Sequence, residues 1–206
     1  MSVSEEHAVQ ATATTPSGIA DPAPLGLAAF AATTFMLTAG DAGWMKSATT
    51  AVFLGYAFGY GGLVQLLAGM WEFRNRNTFG AVAFSSYGGF WLGVGLWALL
   101  VKPNFTAVQD THDLGWILLT FAIFNTYMLI LSAQLNLAVF LVFLTLELTE
   151  IVGFIGHFAN SSGIIKTSGI IGVITAVVAW YASAALVSQG MVGAKLRLPT
   201  GAALIK

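Results

Sequence analysis

Cysteine is absent from the 206 residues, which removes disulfides and thiolate metal sites and leaves the redox compartment unspecified. Charge is nearly as scarce. Asp, Glu, Lys and Arg make up 8% of the chain, against about 25% in a soluble domain. That is too little polar surface to wrap a water-soluble core. Eight Lys and Arg against nine Asp and Glu leave a net charge of −1. The basic residues form no cluster, which argues against nucleic acid as a partner. The three histidines, His7, His112 and His157, are far apart and show no metal-ligand spacing. No nucleophile–base pair, metal cluster or cofactor lysine is legible, so catalytic residues, metal and cofactors are expected to be none, and the chain does not read as an enzyme. The opening "MSVSEEHAVQATATTPSGIA" lacks the basic, apolar, small-residue order of a signal peptide. It reads as a disordered cytoplasmic tail over 1–20.

What the chain does have is apolar length. It is 57% hydrophobic with a mean hydropathy of +0.80. Stretches of about 20 residues, the length that crosses a bilayer, recur near 24–43, 48–71, 78–101, 114–133, 137–159 and 163–189. Short connections hold most of the charge. The period-two alternation of a β-barrel is missing, so the expected fold is an all-α polytopic membrane protein with six transmembrane helices. The helical domain spans 21–192, and 193–206 form a cytoplasmic C-terminal tail. An even number of crossings puts both termini on one side. Arg74, Arg76, Lys195, Arg197 and Lys206 lie on that side and Lys46, Lys102 and Lys166 on the other. This bias places both termini in the cytoplasm of a plasma (inner) membrane.

In the second span, "AVFLGYAFGYGGLVQLLAGMW", a 100° winding brings Gly55, Gly59, Gly62 and Gly69 within about 80° of one another. Such a small-residue stripe lets another helix approach closely. Gln65 flanks it, either as interhelical glue or as a polar group lining a pore. The first span opens on "DPAPLGL". Asp21 suits an N-cap and Pro22 the first helical turn; Pro24 stiffens the entry and Gly26 leaves the backbone open. Free N–H groups at Leu25, Gly26 and Leu27 would then make an anion-attracting mouth.

"DPAPLGL", followed by "YGGLVQLLAGMWEFRNRNTFGAVAFSSYGGFW" from Tyr60 to Trp91, resembles the acetate uptake transporter family (the GPR/FUN/YaaH grouping). That family includes bacterial acetate–succinate permeases and fungal ammonia/acetate export proteins. Its N-P-A-P-L-G-L signature and its Y-G-G…Q…A-G…E…N-T-F-G…S-Y-G…F-W pattern are matched in order, through Gln65, Glu72, Asn77, Thr78, Ser86 and Tyr87. The resemblance implies a six-helix protomer with its own pore, assembled as a homo-hexamer in the bilayer and passing acetate, related monocarboxylates and, in some members, succinate. It also implies a pore constriction at Phe30, Tyr87 and, by ungapped counting, Leu146. Helical geometry puts Phe30 on a face with Gly26, Thr33, Thr34 and Leu37. It puts Tyr87 with Asn77, Gly80, Phe84 and Trp91. The candidate pathway and mouth residues are Asp21, Pro22, Pro24, Gly26, Thr33, Thr34, Gln65, Asn77, Thr78 and Ser86. Aromatic walls suit a methyl end and amide or hydroxyl donors a carboxylate end. No Lys or Arg lies well inside a span, which favours release over tight binding. Dehydrating an anion at an apolar neck is costly, and passage as the neutral acid or with a co-transported proton eases that cost.

Two departures from the family pattern stand out. Asp21 replaces the signature Asn, keeping a capping oxygen and adding negative charge. "LTLELTEIVGFIGHF" sets Glu147 and Glu150 in mid-span, where acids normally face a cavity or a partner. Glu150 lies about 40° around the helix from Leu146, with His157 on its face and Glu147 about 100° away from Leu146. Glu150, Glu147 and His157 are therefore the candidates for proton handling, a structural pair or a contact between protomers being the other readings. The functional alternatives are a neutral-solute channel for ammonia or urea, and a membrane sensor or assembly protein without flux.

Overall fold

The structure, a computed structural model, describes residues 18–45, 50–104 and 106–205. Most of the tail over 1–20, including His7, lies outside them, as do Lys46 and Lys206. Among the described residues, six helices are long and apolar enough to span a bilayer: α1 (Ala23–Asp41), α2 (Val52–Arg74), α3 (Thr78–Asn104), α4 (Thr111–Ser132), α5 (Leu137–Phe158) and α6 (Ser162–Gly190). No strand occurs among the described residues. The α4 helix begins at Ala107, ahead of its apolar window, and α3 ends in a π turn and a short 3₁₀ turn.

In lipid the helices gain little from burying apolar surface against one another, so close backbone approach and buried hydrogen bonds decide their arrangement. Helix α1 packs on α6 and α2, α5 on α6 and α4, and α2 on α3. The α2–α3 seam is reciprocal: a Cβ on Gly88 would sit 2.8 Å from the Leu66 nitrogen, and one on Gly69 would run into Ser85. The predicted four-glycine stripe is corrected here. Gly62 and Gly69 meet α3, whereas a Cβ on Gly55 or Gly59 would meet no other described residue outside its own turn within 4 Å, and both face outward. The cause is a π-helical stretch over Tyr56–Val64, whose i→i+5 bonds wind each residue through less than 100°. Outward faces carry large apolar side chains such as Leu63, Leu67, Ile123, Ile130 and Ile174, as a hydrocarbon solvent requires.

The start of α1 also differs from expectation. Pro22 is the N-cap and makes no side-chain cap bond. Asp21, one residue earlier, accepts from the Ala23 N–H at 2.9 Å. The N–H groups of Leu25 and Gly26 donate to the Pro22 carbonyl at 3.1 and 3.2 Å, so they do not form a free anion cradle. Pro24 ties the helix to α6, its carbonyl accepting from Ser183 Oγ at 2.7 Å.

Beyond α6 the chain runs back as an extended strap. Leu198 N–H donates to Ser188 Oγ at 2.9 Å and the Pro199 carbonyl accepts from Tyr181 at 2.7 Å. The Thr200 carbonyl accepts from Ala138 N–H at 2.8 Å, and Leu204 and Ile205 donate to the Ala133 carbonyl at 2.9 and 3.0 Å. The strap therefore clips the loop between α4 and α5.

Candidate functional site

Among the described residues, a larger and a smaller cavity adjoin one another inside the helices. The larger, about 190 Å³, is bounded by the N-terminal parts of α1, α3 and α5, with Gln65 of α2 and Leu186 of α6. The smaller, about 40 Å³, is bounded by the C-terminal parts of α1 and α5 and the start of α6. Even the smaller exceeds the ~10–15 Å³ that one water needs. The cavities share three lining side chains: Phe30, Tyr87 and Leu146. Each comes from the middle of an odd-numbered helix, with one cavity towards that helix's start and the other towards its end. All three are nearly fully buried, and the Phe30 and Tyr87 rings meet edge to face at 5.6 Å. Phe90, Phe121 and Phe124 pack around Tyr87 at 6.0, 5.4 and 5.6 Å and fix its ring.

The mouth of the larger cavity is built from helix starts. Asn77 caps α3 by accepting from Gly80 N–H at 3.1 Å, and Asn136 caps α5 by accepting from Val139 N–H at 3.0 Å. Both line the cavity, as do Asp21 and Ala23 at the start of α1. Three parallel helices thus aim the positive ends of their dipoles at one opening, and Asp21 sets a carboxylate against them. Gln65 lines the wall with its Oε1 unbonded. Among the described residues, no Lys or Arg lines either cavity.

Of the predicted pathway residues, Asp21, Gln65 and Asn77 line the larger cavity and Thr34 the smaller. Pro22, Pro24, Gly26, Thr33, Thr78 and Ser86 line neither. Gly26 faces the ring of Phe84, whose atoms would lie 2.6–2.7 Å from a Cβ there. Thr33 donates back to the Ala29 carbonyl at 3.0 Å and packs on Gly61. Thr78 is exposed and Ser86 half-buried.

The acids of α5 separate in role. Glu150 and His157 line the smaller cavity with Asp41, Thr38 and Ser168. Glu147 lines neither cavity and faces α4. Its Oε2 accepts from Asn125 Nδ2 and its Oε1 from Thr126 Oγ1, both at 2.7 Å. Asn125 Nδ2 donates also to the Phe143 carbonyl at 3.0 Å. The Tyr87 hydroxyl lies 3.2 Å from both Asn125 Oδ1 and Glu150 Oε1. A buried chain, Glu147–Asn125–Tyr87–Glu150, therefore ends at the narrowing. Asn125 was missed in the sequence, where its signal was a lone amide inside "LLTFAIFNTYMLILS". Among the described residues, no group of three or more His, Cys, Asp or Glu is placed to hold a metal.

Six apolar spans enclosing two cavities, one on each side of a ring of three buried side chains, define a polytopic α-helical membrane protein. The chain belongs to the GPR1/FUN34/yaaH family, whose sequence model matches residues 4–194. It is 40% identical over 177 residues to acetate permease A of Emericella nidulans, covering 79% of this chain and 59% of that protein. It is 34% identical over 163 residues to the succinate-acetate/proton symporter SatP of Escherichia coli K12, covering 79% and 86%. The solved structure of the bacterial acetate channel SatP superposes with a TM-score of 0.81 at 32% identity, covering 89% of this chain and 99% of that one. The chain spans 59% of the length of the fungal relatives that match it first.

Proposed function

We propose that this protein moves acetate and related small carboxylates, succinate among them, across a membrane through the two cavities. Phe30, Tyr87 and Leu146 are its constriction. The observation that carries the reading is that these side chains, from three different helices, are the ones common to both cavities. The relatives' descriptions, an acetate permease, a succinate-acetate/proton symporter and an acetate channel, support the substrate class. A wall of aromatic rings with Gln65, Asn77 and Thr34 gives a methyl and a carboxyl group different surfaces, and the lack of a fixed cation favours release.

The six-helix unit over 21–192 acts as one transport domain, assembled as a homo-hexamer in a plasma (inner) membrane with both termini cytoplasmic. The outward-facing Gly55 and Gly59 leave room for close helix approach between copies, and the Lys/Arg bias supports the orientation. The test is uptake of labelled acetate into proteoliposomes, with pH gradient and membrane potential imposed separately. Uptake above that of empty liposomes, competed by succinate, is expected. Uptake equal to that of empty liposomes overturns the reading.

A further inference from the structure

Hydrogen positions in the chain of α3, α4 and α5 follow from counting donors. The Phe143 carbonyl can only accept, so the group of Asn125 that points at it is the amide nitrogen. Both Asn125 N–H bonds are then spent, on Phe143 and Glu147, and Oδ1 is left as an acceptor facing Tyr87. Glu147 accepts at both oxygens, from Asn125 and Thr126. The Thr126 hydroxyl also lies 2.9 Å from the Ala122 carbonyl, but the helix already supplies that carbonyl with a donor. Glu147 is thus fully served as a carboxylate.

The other end does not close in the same way. The Tyr87 hydroxyl has one hydrogen and two acceptors at the same 3.2 Å, Asn125 Oδ1 and Glu150 Oε1. Asn125 is wholly buried and lines neither cavity, so water does not reach its Oδ1. If Tyr87 donates to Glu150, the Asn125 oxygen is orphaned, which a buried acceptor tolerates poorly. Each of the two 3.2 Å contacts holds a hydrogen only when Tyr87 donates to Asn125 and Glu150 carries a proton that it donates to the Tyr87 oxygen. The second Glu150 oxygen, Oε2, has no hydrogen-bond partner, and Glu150 lines the smaller cavity.

We infer that Glu150 is the proton site of the pathway, wired through Tyr87 to the constriction and through Asn125 to Glu147. The inference deepens the transport reading and takes its substrate from it. A carboxylate reaching the smaller cavity meets a neutral carboxyl rather than a second anion. It takes the Glu150 proton, leaving with it as the neutral acid, and Glu150 becomes a carboxylate. The Tyr87 hydrogen then swings from Asn125 to Glu150, and a proton delivered by solvent water through the smaller cavity that Glu150 lines restores the chain. The other ionisable groups around Glu150 are Asp41 from α1, Tyr87 from α3, and Glu147 and His157 on α5. Asn125 from α4 and Ser168 from α6 complete its polar surroundings. Asp41 and His157 are the two that could mimic its response.

Two measurements on the reconstituted protein test this. In the infrared, the wild-type minus Glu150→Gln difference spectrum at neutral pH should contain the carbonyl band of a protonated carboxyl. The wild-type minus Glu147→Gln spectrum should lack that band, and Tyr87→Phe should shift it. A Glu150 band that is missing, or unmoved by Tyr87→Phe, overturns the inference. In acetate flux, the ratio of Glu150→Gln to wild type should change with pH by up to about tenfold per unit, the limit for one proton. The substrate's own titration cancels in that ratio. In His157→Gln the ratio should be flat. A flat ratio for Glu150→Gln overturns the inference. If the wild type carries no acetate, the transport reading fails while the infrared result still decides the proton's place.

Discussion

At the scale of single residues, the position of a side chain between two cavities decides what its removal does. Leu146 touches both cavities and is 6% exposed. A Leu→Ala change in a closed core costs about 2–5 kcal/mol. Here the lost atoms border space that already exists, so the cost should fall at or below the lower end of that range. The opening should show as selectivity: Leu146→Ala is expected to pass succinate or lactate at least as well as wild type in competition uptake. An unchanged substrate preference with normal insertion would remove Leu146 from the proposed constriction. Gly26 tests the opposite case. With the Phe84 ring 2.6–2.7 Å from a Cβ at this position, Gly26→Val overpacks the α1–α3 contact and should destabilise by about 1–3 kcal/mol. Thermal unfolding in detergent measures it, and an unshifted midpoint would mean that Phe84 turns aside freely. Much of this scale was legible. Phe30 and Tyr87 sit in distinctive motifs, and a bulky residue in such a motif announces a place even when its neighbours are unknown. Asn125 was not legible, because its partners Tyr87, Phe143 and Glu147 lie on two other helices. Gly26 reads from the sequence as a small residue, but the ring that needs its space, Phe84, comes from another helix.

At the scale of elements, apolar length alone identified six helices, since nothing else keeps a backbone satisfied across hydrocarbon. Their faces were harder. The π stretch over Tyr56–Val64 broke the 100° rule that had grouped four glycines, and no local residue pattern marks that change of winding. The strap was illegible for a related reason: its order comes from hydrogen bonds to α6 and to the α4–α5 loop, which are tertiary facts. Its geometry gives a prediction of its own. Gly201 has φ +74°, and a Cβ there would sit 2.7 Å from the Leu137 Cβ. A β-branched residue in that backbone region is strained by about 1–3 kcal/mol, before the clash with Leu137 is added. Gly201→Val should therefore loosen the strap, and trypsin should cut after Lys195 or Arg197 several times faster than in wild type. Equal cleavage rates would show that the strap is held from Leu198 to Thr200 alone.

At the scale of the whole molecule, the parallel run of α1, α3 and α5 does two things at once. It brings their middles together at Phe30, Tyr87 and Leu146, and it gathers their N-termini around the larger cavity. Each terminus carries about half a positive charge, so the opening attracts anions without a fixed cation that would hold them. Asp21 opposes this field: its carboxylate lines the same cavity while accepting the Ala23 N–H. Asn at this position keeps an oxygen for that bond and removes the charge. Asp21→Asn should therefore lower the acetate concentration needed for half-maximal uptake and leave the maximal rate nearly unchanged, because the proposed constriction lies deeper. The effect acts through solvent, where the Debye length is about 30 Å at 0.01 M salt and about 8 Å at 0.15 M. The difference from wild type should be largest in dilute buffer and shrink as salt is added. Uptake that matches wild type at low salt would mean that Asp21 is neutralised where it stands. A gain indifferent to salt would trace instead to a change in the packing of α1, which the thermal midpoint of the variant would register.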